Sequence, residues 1–331
     1  MTDTVAVTGA EGFIGSHLVE ALVRRGHRVR AMVLYNMLSS RGWLEALEPD
    51  IQDQVEVVFG DVRDPASVMT LVEGASAVYH LAALISVPYS YSAPRSFIDT
   101  NVLGTLHVLE AVRACHTPRL VHTSTSETYG TARTVPIPET HQMQAQSPYA
   151  ASKMGADKLA ESYHLSFETP VVTLRPFNTF GPRQSARAVI PSIIIQLASG
   201  NPQLKLGSLA PTRDFLFVTD TAEAFAVLGE APASAVLGEV FNAGTGDDVA
   251  IGRLAAEISG LMGVTADITE DKQRLRPKDS EVLRLVCDAS KLRDHTGWRP
   301  LRTREEGLRA TIDWLRQPGN LARYNPSDYS K

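Results

Sequence analysis

Cysteine is scarce: Cys115 and Cys287 are the only two in 331 residues. They stand far apart and without metal-ligand spacing. A disulfide framework and a metal site are therefore not expected, and both read as buried bystander thiols of a reducing compartment. No apolar run approaches the ~20 residues of a membrane-spanning helix. The opening stretch, MTDTVAVTGAEGF, has no basic segment followed by an apolar one, so the expected location is cytoplasmic. Positive charge is not in excess either. The net charge of −5 disfavours nucleic acid or an anionic membrane as a partner, although a local basic cluster can still hold phosphates. Internal repeats and low-complexity segments are absent. The composition that remains, 44% hydrophobic and 21% charged, is that of an ordinary globular protein. The chain is long enough for one large domain or two intimate ones.

Hydrophobic periodicity organises the first 175 or so residues. TVAVTG, HRVRAMVL, VEVVFGDV, AVYHLA, RLVHTSTS and PVVTLRPFN read as six strands. Amphipathic stretches such as GSHLVEALVRRG, NVLGTLHVLEAVRAC and SKMGADKLAESYHLSF separate them. Parallel neighbours need crossover connections, so this alternation predicts an α/β fold with a doubly wound parallel sheet. After about Phe177 the pattern loosens and the chain becomes rich in short elements, arginine and proline. The expected division is a dinucleotide-binding domain over 1–177 with a return at about 214–240, and a smaller lobe from 178–213 and 241–331. The last seven residues, NPSDYSK, read as a frayed tail.

VAVTGAEGFIGSHL puts Gly9, Gly12 and Gly15 between the first strand and the first helix, a G-x-x-G-x-x-G spacing. Glycines there let the backbone turn tightly and approach a pyrophosphate at the helix N-terminus, so the motif predicts a bound dinucleotide. An NAD site usually carries an acidic residue at the end of the second strand. Here that end reads MVLYN, with neither a carboxylate nor an arginine, although Arg30 and Arg41 flank it. Asn36 is the candidate for the ribose hydroxyls. NAD is the expected cofactor, and NADP stays open beside it.

Farther along, VHTSTSETYG is followed by YAASK. Lys153 lies four residues after Tyr149, so on a helix the two share a face. A nearby ammonium, with the positive charge of the nicotinamide, favours tyrosinate, which lets a group of ordinary pKa ~10 act as a base. Ser124 to Glu127 fall at the carboxyl end of the fifth strand, the edge that faces the ligand crevice in an open α/β sheet.

With these residues in view, the chain resembles an extended short-chain dehydrogenase/reductase of the nucleotide-sugar type. TGAEGFIG, GDVRD, HLAA, NVLGT, TSTSETYG, YAASK, RPFNTFGPR and RDFLFV carry the likeness over nearly the whole length. The resemblance implies a Rossmann domain with a C-terminal sugar-nucleotide lobe. It implies cofactor contacts at Gly9, Gly12, Phe13, Ile14, Gly15, Asp61, Val62, Leu81, Ala82, Ala83, Asn101, Tyr149 and Lys153. Catalytic roles fall to Thr125, Ser126, Glu127, Tyr149 and Lys153. Arg213 and Arg276 match diphosphate contacts, Asn178 a sugar or phosphate contact, and Arg187 is a further candidate. The triplet Thr125-Ser126-Glu127 resembles the T-D-E or T-S-E of sugar-nucleotide 4,6-dehydratases. There, oxidation at C4 acidifies the C5 proton, the glutamate removes it, water leaves from C6, and the stored hydride returns to C6. Simple 4-epimerases usually have no carboxylate at that position, whereas decarboxylases acting on UDP-glucuronate also carry T-S-E; both stay as alternatives. The surrounding motifs are similar to dehydratases of the legionaminic-acid type, which act on an N-acetylglucosamine nucleotide. The same resemblance implies a homodimer formed by the helices at NVLGTLHVLEAVRAC and YAASKMGADKLAESYHLSF.

Overall fold

A computed structural model describes residues 3–200 and 203–324. The segment expected to fray, 325–331, lies outside the described residues. In chain order the first strands are β1 (Thr4–Thr8), β2 (Arg28–Leu34), β3 (Val55–Gly60), β4 (Ala77–His80), β5 (Leu120–Thr123), β6 (Val171–Pro176) and β7 (Asn178–Phe180). They are followed by β8 (Gln203–Leu206), β9 (Thr212–Phe217), β10 (Val240–Ala243), β11 (Asp248–Ala250), β12 (Asp267–Glu270) and β13 (Arg284–Leu285).

Seven strands form one sheet in the order β10-β6-β5-β4-β1-β2-β3, every neighbouring pair parallel. The six strands read from the sequence are the first six of this sheet. Helices cover both faces, so its central strands are buried throughout: AVYH of β4 and VVTLRP of β6 expose nothing. Alternation along β1 divides the core. Val5 and Val7 pack under the helices Phe13–Arg24 and Val218–Glu230, and Ala6 faces the cluster under Pro65–Val72 and Gly104–Ala114.

The smaller lobe is built on β9, which pairs with β11, β13 and β7, and on the β8–β12 pair. Its core gathers Ile193, Ile194, Phe215, Leu254 and Ile312. The return to the first domain differs from the expected 214–240. Strand β9 stays in the lobe through Phe217, and the return runs from Val218 to Ala243 because β10 completes the main sheet beside β6. Among the described residues, no helix is long and apolar enough to cross a membrane.

The turn after β1 is the tightest constraint. Gly9 has φ +66°, and a Cβ there would lie 2.8 Å from the Ala82 nitrogen; a Cβ at Gly15 would collide with the Gly9 carbonyl oxygen. Gly15→Ala is therefore expected to destabilise the fold by about 1–3 kcal/mol. By contrast Gly260, exposed on the helix Ile251–Met262, has open space around its missing Cβ. Gly260→Ala should stabilise by about 0.5–1 kcal/mol. Urea unfolding of the two variants checks this, and shifts of the same sign would contradict it.

Candidate active site

Four segments meet at the carboxyl edge of the main sheet. The first is the glycine turn. Beside it, the Thr8 hydroxyl accepts from the Leu81 and Ala82 amides at 3.1 Å and donates to His80 Nδ1 at 2.8 Å. His80 Nε2 bonds Thr105 at 3.0 Å, and Thr105 donates to the Asn101 carbonyl at 2.7 Å. This chain of bonds fixes the Leu81-Ala82-Ala83 loop against the turn. Phe13 and Ile14 open the first helix. On the far side of β1, Asp61 is gripped by Arg63 at 2.6 Å, which holds its carboxyl below the usual range. Val62 packs beneath Gly104, where a Cβ would sit 2.9 Å from its methyl.

Two cofactor expectations change. The Asn36 amide donates to the Leu34 and Ser40 carbonyls, and its oxygen accepts from the Leu38 and Ser40 amides. With both hydrogens and both lone pairs engaged, it staples its own loop and has nothing left for a ribose. Asn101, buried in the π-helical turn Ile98–Leu103, donates both amide hydrogens, to the Leu84 carbonyl and to Ser152. It braces the loop against the helix Pro148–Phe167 instead of reaching out. The carboxylate missing from the end of β2 comes instead from Glu11, which the sequence reading passed over. Its Oε1 accepts from the Leu34 amide at 3.0 Å, and its Oε2 is buried with no hydrogen-bond partner. Burial raises the Glu11 pKa.

The glycine cradle that side chains would fill, together with this unfilled buried acceptor, fits an adenine dinucleotide. Gly9, Gly12 and Gly15 would hold its pyrophosphate, Asp61 and Val62 would border its adenine, and Leu81 to Ala83 would run alongside.

The catalytic helix, Pro148–Phe167, begins where Ser147 caps the Ala150 amide at 3.1 Å and Pro148 occupies the first turn. Tyr149, Lys153 and Asp157 follow at four-residue intervals, so all three share one buried face. Tyr149 packs edge-on against Phe97. Burial pushes its hydroxyl well up, the Thr125 hydrogen bond lowers it, and the charges of Glu127 and Asp157 raise it again. The lowering expected at Tyr149 counts on the nicotinamide's charge as well as on Lys153, and the polypeptide alone does not supply it. Dehydration dominates at Tyr149, and Lys153 is itself held down to about 8 by burial, with Asp157 opposing.

Asp157 was also missed, although the spacing after Lys153 could have signalled it. Burial alone would raise its carboxyl. The His122 hydrogen bond at 3.2 Å, Arg175 at 2.9 Å and Ser124 at 2.6 Å hold it at about 2.

Facing this helix, Thr125 caps the short turn Ser126–Tyr129 by accepting the Glu127 amide at 3.3 Å, and Ser126 is buried in it. The Glu127 carboxylate stands 3.9 Å from Arg276. Arg276 stands equally far, 3.9 Å, from Glu281, and Glu281 takes Arg213 at 3.3 Å. Arg213 does not pair with its neighbour Asp214, which is occupied by Thr245, Gly246 and Cys287. Two arginines and two glutamates thus form one cluster, and Arg276 Nη1 is buried without a hydrogen bond. Glu281 was unforeseen, since it comes from an irregular loop with no periodic signal. Asn178, on β7, leaves its Oδ1 buried and unpartnered. Arg187 lies exposed ahead of the helix Val189–Ala198.

A family model described as GDP-mannose 4,6 dehydratase matches residues 6–311. The chain belongs to this family. It is 33% identical to a dTDP-glucose 4,6-dehydratase of Xanthomonas campestris, across 94% of this chain and 92% of that protein. The dTDP-glucose 4,6-dehydratase of Streptomyces venezuelae, solved with NAD and TYD bound, superposes with TM-score 0.86 at 28% identity, covering 98% of this chain and 99% of that one. A UDP-N-acetylglucosamine 4-epimerase of Methanobrevibacter ruminantium, in complex with UDP-N-acetylmuramic acid, reaches TM-score 0.84 at 30% identity, covering 98% and 100%. The Rossmann-type nucleotide-sugar enzyme expected from the motifs is what these likenesses support, for dehydratases and epimerases alike.

Lys153 gives a test that separates function from stability. A buried ammonium near pKa 8 costs about 3 kcal/mol relative to its ordinary value near 10.4. Lys153→Met should lose activity yet raise the unfolding midpoint at neutral pH. Between pH 8 and about 10 the unfolded wild type binds more protons than the folded one, so wild-type stability rises there. The variant's advantage should therefore shrink across that window. A gap that is constant from pH 7 to pH 10 would contradict the assignment.

Proposed function

We propose that the protein is an NAD-dependent nucleotide-sugar 4,6-dehydratase. The observation that carries this reading is a carboxylate, Glu127, between the Tyr149 side and the arginine cluster, where a 4-epimerase needs no further base. When bound, NAD supplies the oxidation at C4 and the reduction at C6. Tyr149 takes the proton of the C4 hydroxyl, with Thr125 holding the phenol oxygen and Lys153 the positive charge beside it. Glu127 removes the C5 proton and passes a proton to the departing C6 hydroxyl, so that water leaves as the C–O bond breaks. Ser126, at the position that is aspartate in the T-D-E form of the motif, is the neighbour through which that proton can pass. Dissociation of Arg213 and Arg276 from the glutamates frees them to take the diphosphate, for which the arginine fork is suited. Asn178, with its unfilled amide oxygen, and Arg187 are the remaining candidates to touch the sugar nucleotide.

The hexose proposed from the sequence resemblance is N-acetylglucosamine on a nucleoside diphosphate. The reading also includes a homodimer, since Leu103, Leu165 and Phe167 are exposed on the two helices expected to pair.

Incubation with UDP-, GDP-, CDP- and dTDP-hexoses, followed by mass spectrometry, tests the reaction. One substrate is expected to lose the mass of water and gain a keto group. A product isobaric with its substrate would instead indicate the epimerase, and loss of carbon dioxide from a uronate the decarboxylase. Arg276→Ala should raise KM for that substrate about tenfold or more, the loss expected for a charge-assisted hydrogen bond. An unchanged KM would remove Arg276 from the diphosphate site.

A further inference from the structure

The end of β2 decides which dinucleotide a fold of this kind accepts, because the adenosine ribose lies there. The end of the strand, Met32 to Leu34, supplies no charge, and Asn36 is occupied by its own loop. Arg30, the nearest basic residue on the strand, is also committed. It binds Glu56 at 3.1 Å and the Leu71 and Glu73 carbonyls at 3.0 and 2.8 Å, on the side away from the turn.

Glu11 fills the gap from a different element. It is the residue before the middle glycine of the turn, and its carboxylate crosses to the strand end to take the Leu34 amide. The loop after β2 is built around it. The Trp43 amide donates to the Glu11 carbonyl at 3.0 Å, and Gly42, at φ +56°, leaves no room for a Cβ against the Glu11 side chain. Trp43 is clasped in turn by Trp314, 5.5 Å away, and by the Arg323 guanidinium. The carboxylate is therefore held in place by covalent neighbours and by packing from the C-terminal lobe. Its Oε1 keeps a second lone pair, and Oε2 has no partner.

We propose that Glu11 selects NAD over NADP, accepting the adenosine 2′-hydroxyl and repelling a 2′-phosphate. The glycine turn thereby performs the task usually given to an acid on the second strand. This rests on the dinucleotide reading of the site. A carboxylate in a partly dehydrated position keeps most of its field, so one negative charge there is enough to disfavour a doubly charged phosphate. Arg41 lies exposed on the same loop, where water and salt screen its charge, and its backbone amide donates to Glu45.

Equilibrium competition tests this without any turnover. The full-length protein is dialysed against equal NAD and NADP, and the nucleotide it retains is released by denaturation and quantified. Wild type should retain NAD in at least about tenfold preference, the value of one hydrogen bond to a charged group. Glu11→Gln keeps the size and the acceptor for Leu34 but removes the charge, and should lower that preference about tenfold. Glu11→Ala should do the same, and Arg41→Ala should leave the ratio unmoved. A Glu11→Gln ratio within about twofold of wild type, or a shift produced by Arg41→Ala alone, would overturn the proposal while leaving the dinucleotide site intact. Retention of neither nucleotide by wild type would overturn both.

Discussion

The site depends on one buried carboxylate. Asp157 receives His122 and Ser124 from the end of β5 and Arg175 from β6, and through these it fixes the catalytic helix against the sheet. Because the helix repeats every four residues on one face, fixing Asp157 also fixes Lys153 and Tyr149 above the β5 edge. A group this deeply buried is stable as an anion only while its donors are in place, so the arrangement is all or none. Removing any single partner leaves a charge in a poor solvent. This explains why an enzyme would hold an expensive lysine there. The ammonium is tolerated because Asp157 opposes its dehydration, and the proposed mechanism uses the same ammonium beside the tyrosine.

The second constraint is charge balance at the mouth. Arg213, Arg276, Glu127 and Glu281 neutralise one another in this arrangement, at distances of 3.3 to 3.9 Å that are long for ion pairs. Such pairs hold weakly, and an incoming diphosphate offers the arginines shorter, bidentate bonds. On the proposed reading, Arg276 is the one side chain shared by the diphosphate site and the Glu127 carboxylate.

The fold was legible because its signals are local. The strand–helix alternation, the glycine spacing and the Tyr149–Lys153 interval are all set within about fifteen residues of chain, and the parallel sheet follows from them. The return strand β10 was not read from the sequence because its assignment depends on an open edge of β6, which no local pattern displays. Asn36 read as a ligand because its position suggested one, but satisfying the turn of its own loop took precedence. Glu11 and Glu281 were illegible for the opposite reason. Each matters through a contact made across the fold, with Leu34 in one case and with two arginines in the other. Asp157 falls between these cases, since its spacing was visible and its partners on β5 and β6 were not.

The measurement that bears most directly on the account is solvent deuterium uptake at C5 of the sugar by wild type, Glu127→Gln and Tyr149→Phe in heavy water. If Glu127 is the C5 base, wild type gives a dehydrated product fully labelled at C5. Glu127→Gln, which keeps size and hydrogen bonding, should then lose dehydration and labelling together by roughly 10²–10⁴-fold. Tyr149→Phe should lose both as well, since without the first proton transfer C5 is never acidified. Turnover and labelling within about twofold of wild type in Glu127→Gln would show the carboxylate to be structural, and the dehydratase account would be wrong.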